Sequence, residues 1–277
     1  MIYIGTSGWQ YRSWKGPFYP EKLPQRSWLD HYTGTFPVVE LNNSFYHLPK
    51  EETFDRWRVS TPAGFVFVVK ASRYITHIRR LREARESVGL FWSRAVRLEE
   101  KLGPVLFQLP PNFRADTSLL ADFLSVLPSP MRAAFEFRDD SWNREEVYEL
   151  LDRAGAAWVM ADRPGWAVPT IVTGGWSYIR FHQGRRFHPK YARSKLRAWA
   201  GRIAGLEARD TYVFFNNDPL AAAPGDALAL TELLEKRGTD LAPLPERPKR
   251  VSRPRRTRLE GREIGAEQSS GAAEEPA

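Results

Sequence analysis

Eight short runs rich in Val, Ile, Phe and Tyr recur along the chain, and this repetition is the feature that most restricts the possible folds. Several runs are apolar at consecutive positions, which is typical of strands buried on both faces of a parallel sheet. The runs occupy residues 2–5, 38–41, 65–71, 105–109, 133–137, 157–161, 177–181 and 211–215. Their starts are about 20 to 40 residues apart, which leaves room for a right-handed crossover between consecutive parallel strands.

Helix-like segments fill most of the intervals between these runs. Residues 79–102 carry apolar side chains at three- and four-residue steps, and residues 118–127 begin with a serine of the kind that caps helices. Residues 143–154 begin with Asn and are followed by Gly155, and residues 227–237 form the last segment. Eight strands alternating with helices over about 240 residues predict an α/β fold of the TIM (β/α)8-barrel type.

One interval does not fit the helical pattern. Residues 163–176 contain two prolines and three glycines, so we expect an irregular β/α unit between strands 6 and 7. A doubly wound open sheet is the alternative fold. That fold would be favoured by a glycine-rich phosphate-binding motif, and neither GxGxxG nor GxxxxGK[ST] occurs in the chain.

Charge and composition divide the chain into a body and a tail. Residues 1–239 hold 33 Lys and Arg against 26 Asp and Glu, a net charge of about +7 that favours anionic ligands. Residues 247–258 contain seven basic residues and no acidic one, and an acidic end follows them. We therefore predict a single barrel domain over residues 1–240 and a disordered, basic-then-acidic tail over residues 241–277.

Several classes of protein are excluded by what the chain lacks. It has no cysteine, which excludes disulfides, zinc–thiolate sites, iron–sulfur clusters and cysteine nucleophiles. No apolar run approaches the eighteen residues of a membrane span. A strand-like run follows Met1 directly and leaves no room for a signal peptide, so we expect a cytoplasmic protein without a membrane partner.

Polar and aromatic residues cluster at the carboxyl ends of the predicted strands, where TIM barrels bind their ligands. Strand parity places Glu136 with Arg138, and Arg180 with His182, on shared faces. The candidate catalytic residues are Glu136, Glu40 and His182. The candidate ligand-binding residues are Lys70, Arg138, Arg180, Asn42, Gln108, Asp162, Asn216, Asn217, Trp9, Tyr46 and Trp142.

These segments resemble one family, domain of unknown function 72, the YecE-like proteins. The resemblance covers about residues 1–238 and implies a TIM barrel, but it implies no particular reaction. The sequence departs from the family pattern at Asp139, where a histidine is common, and at His182-Gln183-Gly184, where His-Gly is usual. The matching motifs are Gly5-Thr6-Ser7-Gly8-Trp9, Glu40-Leu41-Asn42-Asn43-Ser44-Phe45-Tyr46, Phe67-Val68-Val69-Lys70-Ala71, Phe107-Gln108-Leu109-Pro110-Pro111, Phe135-Glu136-Phe137-Arg138 and Phe215-Asn216-Asn217.

Each candidate has a structural alternative. Glu136 and Arg138 could form an ion pair that only fills the barrel, and the aromatic residues could form a hydrophobic lid. Lys70 could bind an anion, form a Schiff base or complete a salt bridge. We expect its ammonium form to be favoured because Glu40 and Glu136 are predicted nearby, which disfavours the Schiff base.

A divalent metal site is a weaker hypothesis, and the sequence implies no other cofactor. Glu40, Glu136, Asp162 and His182 are acceptable ligands, but no HExxH or paired-histidine spacing is present.

The leading functional hypothesis is an enzyme that acts on a phosphate-bearing, sugar-containing or nucleotide ligand. Glu136 would be the general acid/base with Glu40 as its partner, and Lys70, Arg138 and Arg180 would bind the anionic group. Phosphoester hydrolysis is the first reaction to test. One alternative is a nucleic-acid-binding protein without turnover, which would use the basic body and tail. The other is a ligand-binding barrel that has no catalytic activity.

Overall fold

Eight parallel strands form a closed barrel in a computed structural model that describes residues 1–165, 168–182 and 189–246. Each strand pairs with its neighbours in sequence, and β8 pairs with β1 to close the barrel. The TIM-barrel prediction is thus confirmed. The strands are β1 Ile2–Ser7, β2 Val38–Leu41, β3 Val66–Lys70, β4 Leu102–Gln108, β5 Ala133–Glu136, β6 Ala157–Asp162, β7 Ser177–Phe181 and β8 Thr211–Phe215.

Helices follow most of the strands. Within the described ranges they are α1 Trp28–Thr33, α2 Asn43–Tyr46, α3 Glu51–Ser60, α4 Ala84–Ala95, α5 Thr117–Ser125, α6 Glu145–Arg153, α7 Arg193–Ala204 and α8 Ala222–Glu235. Between β6 and β7 the described residues, 163–165 and 168–176, form no helix. The irregular unit predicted at this place is therefore confirmed.

The helix predicted over residues 79–102 is shorter than expected. Its α-helical part is α4, and a π-helical turn, Tyr74–Ile78, and a 3-10 segment, Val96–Lys101, flank it. Arg80, Leu81 and Glu83 have positive φ angles, a conformation that an α-helix cannot contain. This break in the helix directs the Leu81 side chain into the core, where it is 2% exposed.

The strands separate two cores because alternate side chains point in opposite directions. Inside the barrel, the residues are Val38, Val68, Leu106, Ala134, Ala157, Val159, Ala161, Trp176, Tyr178, Tyr212 and Phe214. The other strand positions face the helices and join the larger core. Gly5 allows β1 to approach β2 closely, since a Cβ atom there would lie 2.2 Å from the carbonyl oxygen of Val38.

Residues 240–242 run alongside β1 and form hydrogen bonds with it. The amide of Ile2 donates to the carbonyl of Asp240 at 2.8 Å, and the amide of Ala242 donates to the carbonyl of Ile2 at 2.8 Å. Residues 240–242 are therefore attached to the amino-terminal end of the barrel, opposite the predicted site. The rest of the predicted tail, from residue 247 onward, and its basic run 247–258 lie outside the described residues.

Candidate functional site

Buried polar side chains occupy the inward positions at the carboxyl ends of six strands. Each is less than a tenth exposed, and each follows the same strand parity as the apolar residues of the inner core. Such groups are costly to bury unless hydrogen bonds or opposite charges compensate them. The residues are Ser7 on β1, Glu40 on β2, Lys70 on β3, Gln108 on β4, Glu136 on β5 and Arg180 on β7.

Arg180 joins the two carboxylates of the site. Its Nη2 atom donates to Oε1 of Glu40 at 2.7 Å, and its Nη1 atom donates to Oε2 of Glu136. Burial opposes its charge, but the two carboxylates outweigh burial and raise the pKa of Arg180. Arg180 is 1% exposed and both of its Nη atoms contact carboxylates, so it joins the two sides of the network. Its ligand-binding role stays a prediction.

Glu136 accepts hydrogen bonds from Gln108, Arg138 and Arg180, and the imidazole of His182 lies within contact distance. Oε1 lies 3.0 Å from Nε2 of Gln108, 3.0 Å from Nε of Arg138 and 3.1 Å from Nε2 of His182, while Oε2 receives Arg180. Burial alone would raise the pKa of Glu136, but the contacts with His182, Arg180 and Arg138 hold that pKa well below its usual value. An ionised carboxylate offers about four acceptor sites, and three of those of Glu136 are used, so this carboxylate is suited to positioning its neighbours.

Glu40 has a similar but less crowded environment. Ser7 Oγ donates to Oε1 at 2.7 Å, and the hydroxyl of Tyr178 donates to Oε2 at 2.6 Å. Burial, together with the Glu40 charge, raises the pKa of Tyr178 well above its usual value, so this hydroxyl keeps its proton. Ser7 and Tyr178 are absent from the predicted site. The signal that would have found Tyr178 is parity, because it lies two residues before Arg180 on β7.

His182 connects Glu136 to the mouth of the barrel. Its Nε2 atom faces Glu136, and its Nδ1 atom lies 3.4 Å from Nδ2 of Asn216. The imidazole is 10% exposed. Burial lowers the pKa of His182, although the carboxylate of Glu136 opposes this, so the ring is neutral at neutral pH. A neutral imidazole held by a carboxylate is suited to taking up a proton.

Lys70 is buried without an ion pair among the described residues. It is 8% exposed, and its Nζ atom lies 4.1 Å from the centre of the Phe45 ring. Burial, followed by repulsion from Arg180, lowers the pKa of Lys70 to about 7, and the attraction of Glu40 and Glu136 only partly opposes this. Burial therefore counteracts the expected preference for the ammonium form. The two carboxylates are already engaged by other donors and do not pair with Lys70.

The most accessible cation of the site is Arg138. Its side chain is 30% exposed, and within the described ranges its Nε atom contacts Glu136 while its Nη atoms have no hydrogen-bond partner. Further cations lie near it on this side of the rim. They act together on His77, where burial, followed by Lys70, Arg138, Arg73 and Arg80, lowers the pKa to about 4. The region between β3 and β5 therefore has a positive potential that suits an anion.

Three predicted residues lie outside the mouth of the barrel. Asp162 pairs with Lys195 of α7 at 2.8 Å, because residue 162 follows the outward parity of β6. Asn217 donates to the carbonyl of Pro189 and to Asp226 of α8, each at 2.7 Å. The Trp142 side chain is fully buried and donates to the carbonyl of Phe113 at 2.6 Å. These side chains brace the outer layer, and their ligand-binding role stays a prediction.

The remaining predicted residues differ in exposure. Trp9 is 5% exposed and packs edge-on against Trp57 of α3, so it belongs to the outer core rather than to an aromatic wall. Tyr46 is 65% exposed and lies against Phe45. Asn42 is half-buried at the end of β2, and its Oδ1 atom has no hydrogen-bond partner in the described part of the chain. Tyr46 and Asn42 are therefore the members of this group that a ligand could reach.

The described residues contain neither a metal-binding cluster nor a membrane-spanning helix. Among residues 1–165, 168–182 and 189–246, no group of three or more His, Asp or Glu side chains is arranged to hold a metal ion. The four predicted metal ligands do not converge, because Asp162 faces α7. In the same ranges, every helix is too short or too polar to cross a lipid bilayer.

Fold and site together define a TIM-barrel protein with a charged, hydrogen-bonded network at the carboxyl ends of its strands. The chain belongs to the DUF72 family, whose model, described as a protein of unknown function, matches residues 3–250. The family resemblance of the sequence motifs is thereby confirmed.

Relatives match over nearly their whole length. The UPF0759 protein YunF of Bacillus subtilis is 30% identical over 88% of this chain and 98% of its own. The UPF0759 protein YecE of Escherichia coli K12 is 27% identical over 91% of this chain and 99% of its own. The crystal structure of a DUF72 family protein from Thermotoga maritima superposes with a TM-score of 0.78 and 31% identity, covering 85% of this chain and 99% of that one.

Proposed function

We propose that this protein is an enzyme that uses acid–base chemistry on a phosphate-bearing ligand bound at the carboxyl ends of the barrel strands. The observation that carries the proposal is that Arg138 and His182 contact the same oxygen atom of Glu136, and that Lys70 lies close enough for the charges of Arg138 and Glu136 to act on it. Anion binding and proton transfer would then take place in the same mouth.

The charge balance of the site favours an anion. Glu40 and Glu136 are matched by Arg180 and Arg138, so the two carboxylates are already neutralised. Lys70 and the arginines of the rim add positive charge to this balanced set. A phosphate group would receive hydrogen bonds from the Nη atoms of Arg138, for which the described residues show no partner. The exposed ring of Tyr46 offers a surface for a sugar or a base attached to the phosphate.

Proton transfer is assigned to His182, with Glu136 as a positioning residue. Glu136 has a strongly lowered pKa and three hydrogen-bond donors, which makes it a poor proton acceptor in comparison with the neutral imidazole. In the tautomer that carries its proton on Nε2, 3.1 Å from Glu136, the Nδ1 atom would be the proton acceptor, and the Asn216 amide lies 3.4 Å from it. In phosphoester hydrolysis, Nδ1 would take a proton from the attacking water as the water oxygen bonds to phosphorus. The bond between phosphorus and the alcohol oxygen would break, and the imidazolium would pass its proton to that oxygen.

A screen of phosphomonoesters and phosphodiesters with the purified protein tests the proposal. His182→Gln should lower kcat by about 10²–10⁴-fold, which is the usual contribution of a general base. Arg138→Gln should raise KM by about tenfold or more, the effect of losing one charged hydrogen bond. Lys195→Gln is the matched control, because Lys195 pairs with Asp162 outside the mouth and should leave both constants unchanged. Equal losses in all three variants would contradict the assignment.

Binding of a nucleic acid without turnover is the second proposal. It is favoured by the exposed rings of Tyr46 and Tyr74, which follow adjacent strands β2 and β3 near the arginines of the rim. Stacked bases and contacted phosphates would make the affinity fall steeply with salt. Binding of single-stranded DNA and RNA should therefore be measured at two salt concentrations, with and without Tyr46→Ala. Binding that is absent, or that does not respond to salt, would exclude this alternative.

A further inference from the structure

The protein buries two lysines in contrasting environments. Lys101 is 5% exposed, and its Nζ atom donates to the carbonyl of Arg58 at 2.6 Å, the carbonyl of Thr61 at 2.6 Å and the hydroxyl of Thr61 at 3.1 Å. Those three acceptors use all the donors of an ammonium group. Lys70 is 8% exposed, and among the described residues its Nζ atom has the Phe45 ring as its neighbour and no oxygen acceptor. Lys101 is thus a structural ammonium group, whereas Lys70 is not.

The charged groups around Lys70 come from several strands and do not stabilise its ammonium form. Arg180 on β7 and Arg138 after β5 repel it. Glu40 on β2 and Glu136 on β5 attract it, but both carboxylates are bonded to other donors. His77, which lies after β3, is neutral at neutral pH. With a pKa of about 7, roughly half of the Lys70 side chains carry a neutral amine at pH 7.

We infer that Lys70 is a nucleophile that forms an imine with the carbonyl group of a phosphorylated aldehyde or ketone. This inference rests on the proposed phosphate site and adds the chemical class of its ligand. A neutral, desolvated amine without a hydrogen-bonded acceptor is the arrangement that activates lysine toward carbonyl compounds. Arg138 lies on the same side of the mouth and would hold the phosphate group of such a ligand.

The step balances without an oxidant or reductant. The lone pair of Nζ attacks the carbonyl carbon, and the carbonyl oxygen receives a proton to give a carbinolamine. The carbon–oxygen bond then breaks, the oxygen leaves as water, and the nitrogen lone pair forms the carbon–nitrogen double bond. One proton is taken up and one water molecule is released when the product is the protonated imine.

Pyridoxal 5′-phosphate is a suitable probe because it carries both an aldehyde and a phosphate. The full chain would be incubated with the probe, reduced with sodium borohydride and mapped by peptide mass spectrometry. At pH 7 the neutral fraction of Lys70 is about a thousandfold larger than that of an ordinary lysine, so Lys70 should be the first residue labelled. The labelling rate should reach half of its plateau near pH 7. Lys101 is the internal control and should remain unlabelled.

Two controls separate the nucleophile from the phosphate site. Lys70→Arg should abolish the fast label, and the wild-type peptide map tests the same point if that variant does not fold. Inorganic phosphate should slow the labelling of Lys70, and pyridoxal, which lacks the phosphate, should label it more slowly. If phosphate binds but Lys70 is not labelled before surface lysines, the inference is overturned while the proposed function stands. If pyridoxal labels Lys70 equally fast and phosphate gives no protection, the nucleophile is supported and the phosphate site is overturned.

Discussion

The carboxylates of Glu40 and Glu136 contact opposite nitrogen atoms of one buried guanidinium group, that of Arg180. The two glutamates come from β2 and β5, which are not neighbours in the barrel, so Arg180 links distant parts of its wall. Removing one partner of a buried ion pair leaves uncompensated charge. Arg180→Met leaves two buried carboxylates and should lower the free energy of unfolding by about 3–5 kcal/mol. Urea denaturation at pH 7 measures this difference.

Arg97→Met provides the surface control for Arg180→Met. Arg97 forms a bidentate salt bridge with Asp55, in which Nε donates to Oδ1 at 2.9 Å and Nη2 donates to Oδ2 at 2.8 Å. This salt bridge lies on the exposed side of α3. Water and salt screen such a pair, so its removal should change the unfolding free energy little. Equal losses in the two variants would show that burial does not set the importance of Arg180.

The contribution of Glu136 to stability should depend on pH. Its pKa lies well below 4.5 in the folded protein, and it returns to about 4.5 when the chain unfolds. The stabilisation is therefore complete above pH 4.5 and is lost as the pH falls through the folded-state value. Glu136→Gln should be less stable than the wild type at pH 6, and the gap should narrow below pH 4.5. Unfolding free energies measured at several pH values test this, and a constant gap would contradict it.

Lys70 should also make the stability rise with pH, but at higher pH and because its charged form is the destabilising one. Its pKa is about 7 in the folded protein and 10.5 in an ordinary environment, so the unfolded chain binds more protons between these values. Wild-type stability should then rise by up to about 1.4 kcal/mol for each pH unit in that window. Lys70→Met should be more stable than the wild type at pH 6, and its advantage should shrink toward pH 10. Denaturation at pH 6 and pH 9 measures the change.

Lys101→Met is the matched control for Lys70→Met. It removes three hydrogen bonds to oxygen atoms and leaves their acceptors without that partner, so it should destabilise the protein at both pH values. A stabilising Lys101→Met or a destabilising Lys70→Met at pH 6 would mean that the two buried lysines do not differ as described.

The sequence predicted the barrel well because its buried strands have a strong local signal. Runs such as Val38–Leu41 and Thr211–Phe215 are mostly apolar and buried at every position, and the structure reproduces their bounds. The break at Arg80 and Leu81 was missed, because the apolar spacing of residues 79–102 continues across it. The spacing of apolar residues cannot reveal a left-handed turn that is stabilised by tertiary packing.

The candidate site was predicted only in part, for reasons of parity and pairing. Glu40, Glu136 and His182 follow inward parity and meet as expected. Asp162 stands one position out of that parity and meets Lys195, which lies 33 residues further along the chain. The protonation of Lys70 depends on which groups are already bound to Glu40 and Glu136. A predicted strand order shows which residues lie near each other, but it does not show which donors are bound to each carboxylate.

Asn216 and Asn217 are adjacent in sequence but point to opposite sides of the barrel wall. Comparing them therefore distinguishes a residue of the candidate site from a structural residue. Asn216 lies 3.4 Å from His182, whereas Asn217 is 1% exposed and donates to Pro189 and Asp226. Asn217→Ala should lower the unfolding free energy by about 1–3 kcal/mol, since it removes two buried hydrogen bonds. Its folded fraction should bind phosphate as the wild type does.

Asn216→Ala should show the reverse behaviour. Loss of the amide beside Nδ1 removes a neighbour of the proton acceptor at His182 and should shift the pH dependence of turnover while leaving stability nearly unchanged. Denaturant unfolding, phosphate titration and the pH profile of kcat, measured on both variants, check the pair. If Asn217→Ala alters the pH profile and Asn216→Ala does not, the division of β8 into an inner functional face and an outer structural face would be wrong. The functional role proposed for Asn216 would then belong to other side chains at the strand ends.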